Sequence, residues 1–297
     1  MPDDSEIRGY FEEDLTRVAR LIAHDIEPDR DVYIDAFGVK VDPAYCAWAK
    51  PGTIGSGLPF PGDGIGADGI EFAALALALE FAQGQPDFTS VELGAGWGTW
   101  TALAALCAHR IGFQSVNLIA FEADRGRFQD LRRHLVLNGI ANAKLHQCAA
   151  WWRNEKLFWP VRDRSDAGMS VAVGERPSAD YRGKVSQFEK ITGRSIAEVL
   201  SIYPRIDFMH VDIQGAEWDV IAGSIDFLNS RVRSLFVATH SRKIEGDLIA
   251  LLRSQGWLLM RETPCHFYSM ASAPTLEGLT YHDGGQFWRN DRDAAGR

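Results

Sequence analysis

One stretch constrains the fold more than any other: Val91-Glu92-Leu93-Gly94-Ala95-Gly96-Trp97-Gly98-Thr99-Trp100, an apolar run, three alternate glycines, then the start of a helical pattern. A strand that enters a glycine turn and leaves it as a helix is the opening of a crossover connection, and crossovers join parallel strands. The rest of the chain keeps the same rhythm. Short apolar runs at 90–93, 116–122, 143–148, 206–212, 234–239 and 257–261 read as strands, and segments 97–109, 124–138, 216–228 and 244–255 read as helices from their apolar spacing. This alternation predicts an α/β fold, a Rossmann-like, mostly parallel sheet with helices on both faces.

Two segments lie outside the rhythm. Ile7, Tyr10, Phe11, Leu15, Val18, Leu21 and Ile22 recur at helical spacing, which predicts an amphipathic helix over 5–26. A loop rich in Gly and Pro follows over 42–69, and a helix over 69–83; a loop that long reads as a lid over the site. Residues 1–69 are thus expected to form a helical and loop extension that is part of the same domain, 70–290 the main domain, and 291–297 a disordered tail. The stretch 150–204 interrupts the alternation and reads as an elaboration, with a hairpin turning at 153–156 and a short helix at 195–200.

Gly94 and Gly96 leave room for a ligand against the backbone, and the helix beyond them presents unpaired N–H groups and a positive dipole end. Dinucleotide sites use GxGxxG with an acid about twenty residues on; here the third glycine, Gly98, comes one residue earlier. The next strand ends Phe121-Glu122-Ala123-Asp124, which places a carboxylate with paired acceptor oxygens where it can take both hydroxyls of a ribose. Glycine turn and acid together resemble the class I methyltransferases. That resemblance implies S-adenosylmethionine as cofactor and S-adenosylhomocysteine as product, held by Glu92, Gly94, Ala95, Gly96, Trp97, Gly98, Glu122, Ala123, Ala149 and Asp212.

The second half narrows the resemblance. Asp212-Ile213-Gln214-Gly215-Ala216-Glu217 ends a strand and opens a helix, and it is similar to the D-[VI]-[EQ]-G-x-E signature of the FkbM-type methyltransferases. Ala149–Ala150 before a charged turn, the segment 193–200, and Val237-Ala238-Thr239-His240 fit the same family, although Thr239 stands where the family often has an acid. The resemblance covers roughly 70–290 and implies O-methylation of a sugar, glycolipid or natural-product acceptor. Three alternatives stay open: a cofactor-binding partner protein that does not catalyse, methyl transfer to nitrogen or carbon, and a nicotinamide-dependent oxidoreductase built on the same strand–turn–helix.

Asp212 is expected at the carboxyl end of a strand, where open α/β sheets bind ligands, and is the first candidate for the base that takes a hydroxyl proton. The bland reading is that it caps the next helix. His240, also after a strand, is the second candidate base. No metal is expected, because no dense acidic cluster follows the fifth strand. The net charge of −9 argues against a nucleic-acid partner, which needs a basic footprint. The four cysteines form no CxxC pair, the acidic N-terminus lacks the pattern of a signal peptide, and no apolar run is long enough to span a bilayer. A cytoplasmic protein acting on a small-molecule or glycan acceptor is the expectation. Trp151, Trp152 and Trp159 suit a sugar face, ordinary core or the contact of a homo-oligomer equally well.

Overall fold

The computed structural model describes residues 9–46, 49–55, 68–161, 166, 168–268 and 273–291. The expected tail lies almost wholly outside them, and so does half of the expected lid over 42–69, at 47–48 and 56–67.

The chain opens with α1 (Glu12–Ala19), the two-residue strands β1 (Tyr33–Ile34) and β2 (Lys40–Val41), and α2 (Gly69–Phe81). Then come β3 (Asp87–Leu93), α3 (Thr99–Arg110), β4 (Ser115–Glu122), α4 (Arg125–Leu137) and β5 (Lys144–Gln147). An insert contributes β6 (Ala149–Trp151), β7 (Glu155–Val161), β8 (Gln187–Ser195) and α5 (Ile196–Val199). The alternation resumes with β9 (Phe208–Val211), α6 (Glu217–Gly223), α7 (Ile225–Arg231), β10 (Ser234–Thr239), α8 (Arg242–Ser254) and β11 (Trp257–Thr263). The chain closes with β12 (His266–Phe267), α9 (Leu276–Leu279), β13 (Thr280–His282) and β14 (Gly284–Asn290).

Seven strands form one sheet in the order β11-β14-β10-β9-β3-β4-β5, parallel throughout except for β14, which runs antiparallel between β10 and β11. The order reverses direction at β3, so the carboxyl ends of β3, β4 and β9 border a crevice. Strand periodicity divides the core in two. Val116, Leu118 and Ala120 of β4 face α2 and α3, whereas Ile119 and Phe121 face the opposite side, where β9 and β10 send Met209, Val211, Leu235 and Val237 against α6 and α8. Helices thus cover both faces, as the alternation predicts. Among the described residues no helix is long and apolar enough to cross a membrane.

Several elements differ from the sequence expectation. The first helix is confined to Glu12–Ala19 within the described residues; beyond it Arg110 reaches across to donate to the carbonyl of Leu21, within the expected helix, and to that of Phe37. Val18, Leu21, Phe37, Val39 and Val41 belong to the same apolar cluster as α2 and α3, and Arg261 on β11 grips the fully buried Asp14 of α1 with two bonds of 2.6 and 2.9 Å. The single helix expected over 216–228 breaks at Ser224 into α6 and α7, where Trp152 lies so close to Gly223 that a Cβ there would stand 2.6 Å from the indole. The expected hairpin is a three-stranded sheet: β6 and β7 do not pair with each other, because β8 runs between them, parallel to β6 and antiparallel to β7. Strand β14 carries no apolar alternation that could announce it. Its paired glycines are required by packing, since a Cβ on Gly284 would meet Glu245 Oε1 at 2.3 Å and one on Gly285 would meet the Phe236 ring at 3.0 Å.

Candidate active site

A cavity of about 350 Å³ opens at the carboxyl ends of β3, β4, β9 and β10. The glycine turn forms its floor. Gly94 and Ala95 donate to the carbonyl of Phe121 at 3.0 and 2.9 Å, which pins the turn to the end of β4. Each glycine has a different reason to be glycine, and all three have positive φ. A Cβ on Gly94 would stand 1.8 Å from the Asp212 carbonyl oxygen, because β3 and β9 pass too closely there. One on Gly98 would strike Leu131 of α4 at 2.4 Å. One on Gly96 would meet nothing nearer than Arg127 at 3.9 Å among the described residues, which leaves space above Gly96 for a ligand.

The two acids of the glycine region do different work. Glu92 is buried, and its carboxylate accepts from the amides of Trp100 (3.1 Å) and Thr101 (2.8 Å) and from the Thr101 hydroxyl. It therefore satisfies the first turn of α3 rather than offering its oxygens to a ligand; burial pushes it up to about 8 against those hydrogen bonds. Glu122 accepts from the amides of Gly96 (2.7 Å) and Asp124 (2.6 Å), one on each oxygen, and keeps a lone pair on each. Burial raises it to about 7.

Of the residues expected to hold the cofactor, Glu92, Gly94, Ala95, Gly96, Trp97, Glu122, Ala123, Ala149 and Asp212 line the cavity. Gly98 does not: it lets α3 pack on α4. Trp97 stands at the cavity edge between Tyr45 of the extension, stacked at 5.6 Å, and His134, edge-on at 4.7 Å. Trp100 stacks on His210, which stacks in turn on Phe236, at 4.9 and 5.0 Å. His210 is buried, and burial lowers it to about 3, so it is neutral and donates Nε2–H to Glu71 at 3.0 Å.

The signature after β9 is a small machine for presenting one carboxylate. Asp212 lines the cavity with its side chain 39% exposed. It does not cap α6, whose N-cap is Ala216. Gln214 adopts φ +57, rare for a residue with a side chain, and donates to Asp212 Oδ1 at 2.9 Å. Glu217, fully buried, gathers the amides of Ile213 and Gly215 at 3.2 and 3.0 Å and binds His240 Nδ1 at 2.9 Å. His240 is buried behind the wall. Its Nε2 has no hydrogen-bond partner among the described residues, and it faces Asp212 Oδ1 at 3.5 Å and Asp283 Oδ2 at 3.6 Å.

Burial alone would depress His240, but Glu217, Asp212 and Asp283 outweigh it and raise the imidazole to about 10. As an imidazolium it cannot take a proton, which stands against the base role expected for it from sequence. Because its folded value is raised above the ordinary 6.5, the stability it contributes is complete below that pH and is lost as pH rises through about 10. His240→Gln should therefore destabilise the protein at pH 7, and its urea midpoint should converge on that of the wild type as both are raised towards pH 10.

Asp283, Glu71 and Trp159 also line the cavity, and of these Asp283 was not among the candidate residues. Asp283 immediately precedes the unannounced strand β14, so nothing local marked it. Thr239, found where the family often carries an acid, bonds Glu245 at 3.0 Å, so a carboxylate reaches that position from the next helix.

A comparison with known proteins gives concordant results. A protein of Jannaschia sp. (strain CCS1) that carries the name methyltransferase is 30% identical over 224 residues, which cover 74% of this chain and 79% of the relative. Among solved structures, a precorrin-6y C5,15-methyltransferase from Geobacter metallireducens GS-15 is similar at 12% identity and a TM-score of 0.41, covering 72% of this chain and 86% of the other. A ribosomal protein L11 methylase from Lactobacillus delbrueckii subsp. bulgaricus follows at 13% and 0.39, covering 73% and 76%. Likenesses this loose carry no acceptor over to this chain. Residues 84–258, well over half the sequence, match the Methyltransferase FkbM domain, and with the Jannaschia relative that match makes this chain a member of the FkbM methyltransferase family.

Proposed function

We propose that the protein transfers the methyl group of S-adenosylmethionine to a hydroxyl of a sugar, glycolipid or natural-product acceptor, with Asp212 as the base. The observation that carries this reading is the presentation of Asp212: a carboxylate on the cavity wall, oriented by Gln214 and backed by the Glu217–His240 pair.

The donor set fits the cofactor. The space over Gly96 admits a ligand against backbone amides, and Glu122 keeps one lone pair per carboxylate oxygen for a pair of ribose hydroxyls. Asp68, Glu71, Glu122, Asp212 and Asp283 line the cavity, with Arg127 as the one Arg or Lys in its lining among the described residues. A sulfonium and an α-ammonium are welcome in such a field, whereas the pyrophosphate of a nicotinamide dinucleotide is not. The bound cofactor supplies an activated methyl group for in-line displacement. The chain's own task is to bind it, orient the acceptor oxygen and remove its proton. Asp212 can take that proton because Gln214 engages only one of its oxygens. His240 acts through Asp212 and Asp283: its buried Nε2 lies 3.5 and 3.6 Å from their carboxylate oxygens and holds both side chains in place on the wall.

The test is isothermal titration with S-adenosylmethionine, S-adenosylhomocysteine and NAD⁺. The first two should bind the wild type and fail on Glu122→Ala. Affinity should rise as pH rises through about 7, where the Glu122 carboxyl ionises. Preference for NAD⁺, or binding that ignores Glu122, would overturn the reading. Confirmed binding licenses an acceptor screen of sugars and glycolipids.

A further inference from the structure

One end of the cavity is closed by a part of the chain that does not belong to the seven-stranded sheet. Trp159, on β7 of the insert, lines the cavity together with Met169, Val171, Cys148, Ala149 and Ala150. Its side chain is buried, the whole residue being 8% exposed, and its indole Nε1 has no hydrogen-bond partner among the described residues. An indole N–H can only donate, and leaving such a donor buried and unpaired carries the cost of stripping it of water with nothing in return. The side chains named around it are aliphatic or sulfur-bearing and offer no good acceptor. A ligand in this end of the cavity would supply one.

The place of Trp159 in the fold says which part of a ligand that is. Strand β8 pairs with β6 at Ala149↔Gly193 and with β7 at Trp159↔Glu189, so the insert runs back from Ala149 alongside the ends of β4 and β5. Glu122 and Ala123 lie at the end of β4, and Cys148 follows β5. A ribose held by Glu122 therefore has its base on this side, among Ala123, Cys148 and Ala149. The wall is apolar and carries one unsatisfied donor, which suits a flat heteroaromatic ring with acceptor nitrogens on its edge.

We propose that Trp159 reads the adenine of the cofactor, its indole N–H donating to one ring nitrogen of the base. The inference rests on the S-adenosylmethionine reading above. It makes the inserted sheet part of the cofactor site and gives the protein a base-specific contact from outside the glycine turn.

Titration calorimetry with S-adenosylhomocysteine and its 1-deaza, 3-deaza and 7-deaza analogues, on wild type and Trp159→Phe, tests this without any acceptor. Trp159→Phe keeps an aromatic ring in the wall and should weaken S-adenosylhomocysteine about tenfold, the loss of one buried hydrogen bond. One of the three analogues should lose a similar factor on the wild type and bind the variant no worse than S-adenosylhomocysteine does. Equal affinity of wild type and variant for S-adenosylhomocysteine would overturn the proposal. So would equal binding of all three analogues to the wild type, a result that holds even if the variant fails to fold. Failure of the wild type to bind S-adenosylhomocysteine at all would instead remove the cofactor reading on which the proposal stands.

Discussion

Asp212→Asn is expected to lower kcat by about 10²–10⁴-fold, the usual contribution of a positioned general base, without a comparable loss of affinity for S-adenosylhomocysteine. Asn keeps the size of the side chain and can still accept from Gln214, so the loop from Asp212 to Glu217 should hold its shape. What is lost is the proton acceptor on the cavity wall. Turnover with the acceptor found in the screen, followed against pH for wild type and variant, separates the outcomes. A variant that turns over like the wild type would mean that the acceptor atom needs no base, and would move it from a hydroxyl to a nitrogen or carbon. A large rise in KM for the acceptor with kcat intact would assign Asp212 to acceptor binding instead.

Gly94→Ala is expected to destabilise the fold by about 4 kcal/mol or more, at the far end of the range for single substitutions. The added methyl group would stand 1.8 Å from the backbone oxygen of Asp212, and neither partner is a flexible side chain that can swing aside. The φ of +81 adds about 1–2 kcal/mol of backbone strain for any L-residue. Relief requires β3 and β9 to separate at the point where Asp212 donates its amide to the Leu93 carbonyl at 3.0 Å, so the site and the sheet fail together. Gly96→Ala provides the contrast. Its Cβ meets open space, so stability should fall only by the strain, about 1–2 kcal/mol, while cofactor binding is lost because the methyl group fills the ligand's place. Urea denaturation and titration calorimetry on the two variants check the distinction. Equal stability of both would mean that the strands relax more readily than close-packed backbones ordinarily do.

Much of the fold was legible because its signals are local. The helix Arg125–Leu137 is bounded by Asp124, whose side chain accepts from the Arg127 amide, and by Asn138, and the sequence expectation of 124–138 took in both caps. The strand Ser234–Thr239 is fully buried and reads as an unbroken apolar run. The signature from Asp212 to Glu217 was likewise readable, since its polar side chains act within the same turn: Gln214 on Asp212, and Glu217 on the amides of Ile213 and Gly215.

The sequence by itself determined the crossover sheet, the glycine turn and the carboxylates at the ends of β4 and β9, because strand period, turn chemistry and helix caps all act over a few residues. Only the tertiary structure decided how those carboxylates are used. Glu92 and Glu122 lie on neighbouring strands near the same turn, yet the first is spent on the start of α3 and the second keeps free lone pairs, a difference set by which amides lie within reach. His240 looked like a base until the fold surrounded it with Glu217, Asp212 and Asp283, whose combined charge outweighs burial and holds it as a cation. Asp283 is brought to the wall by β14, a strand whose glycines and buried Gln286 and Asn290 make sense only beside the helix and strands they touch. Charges add over space, and a chain reveals which of them are neighbours only once it is folded.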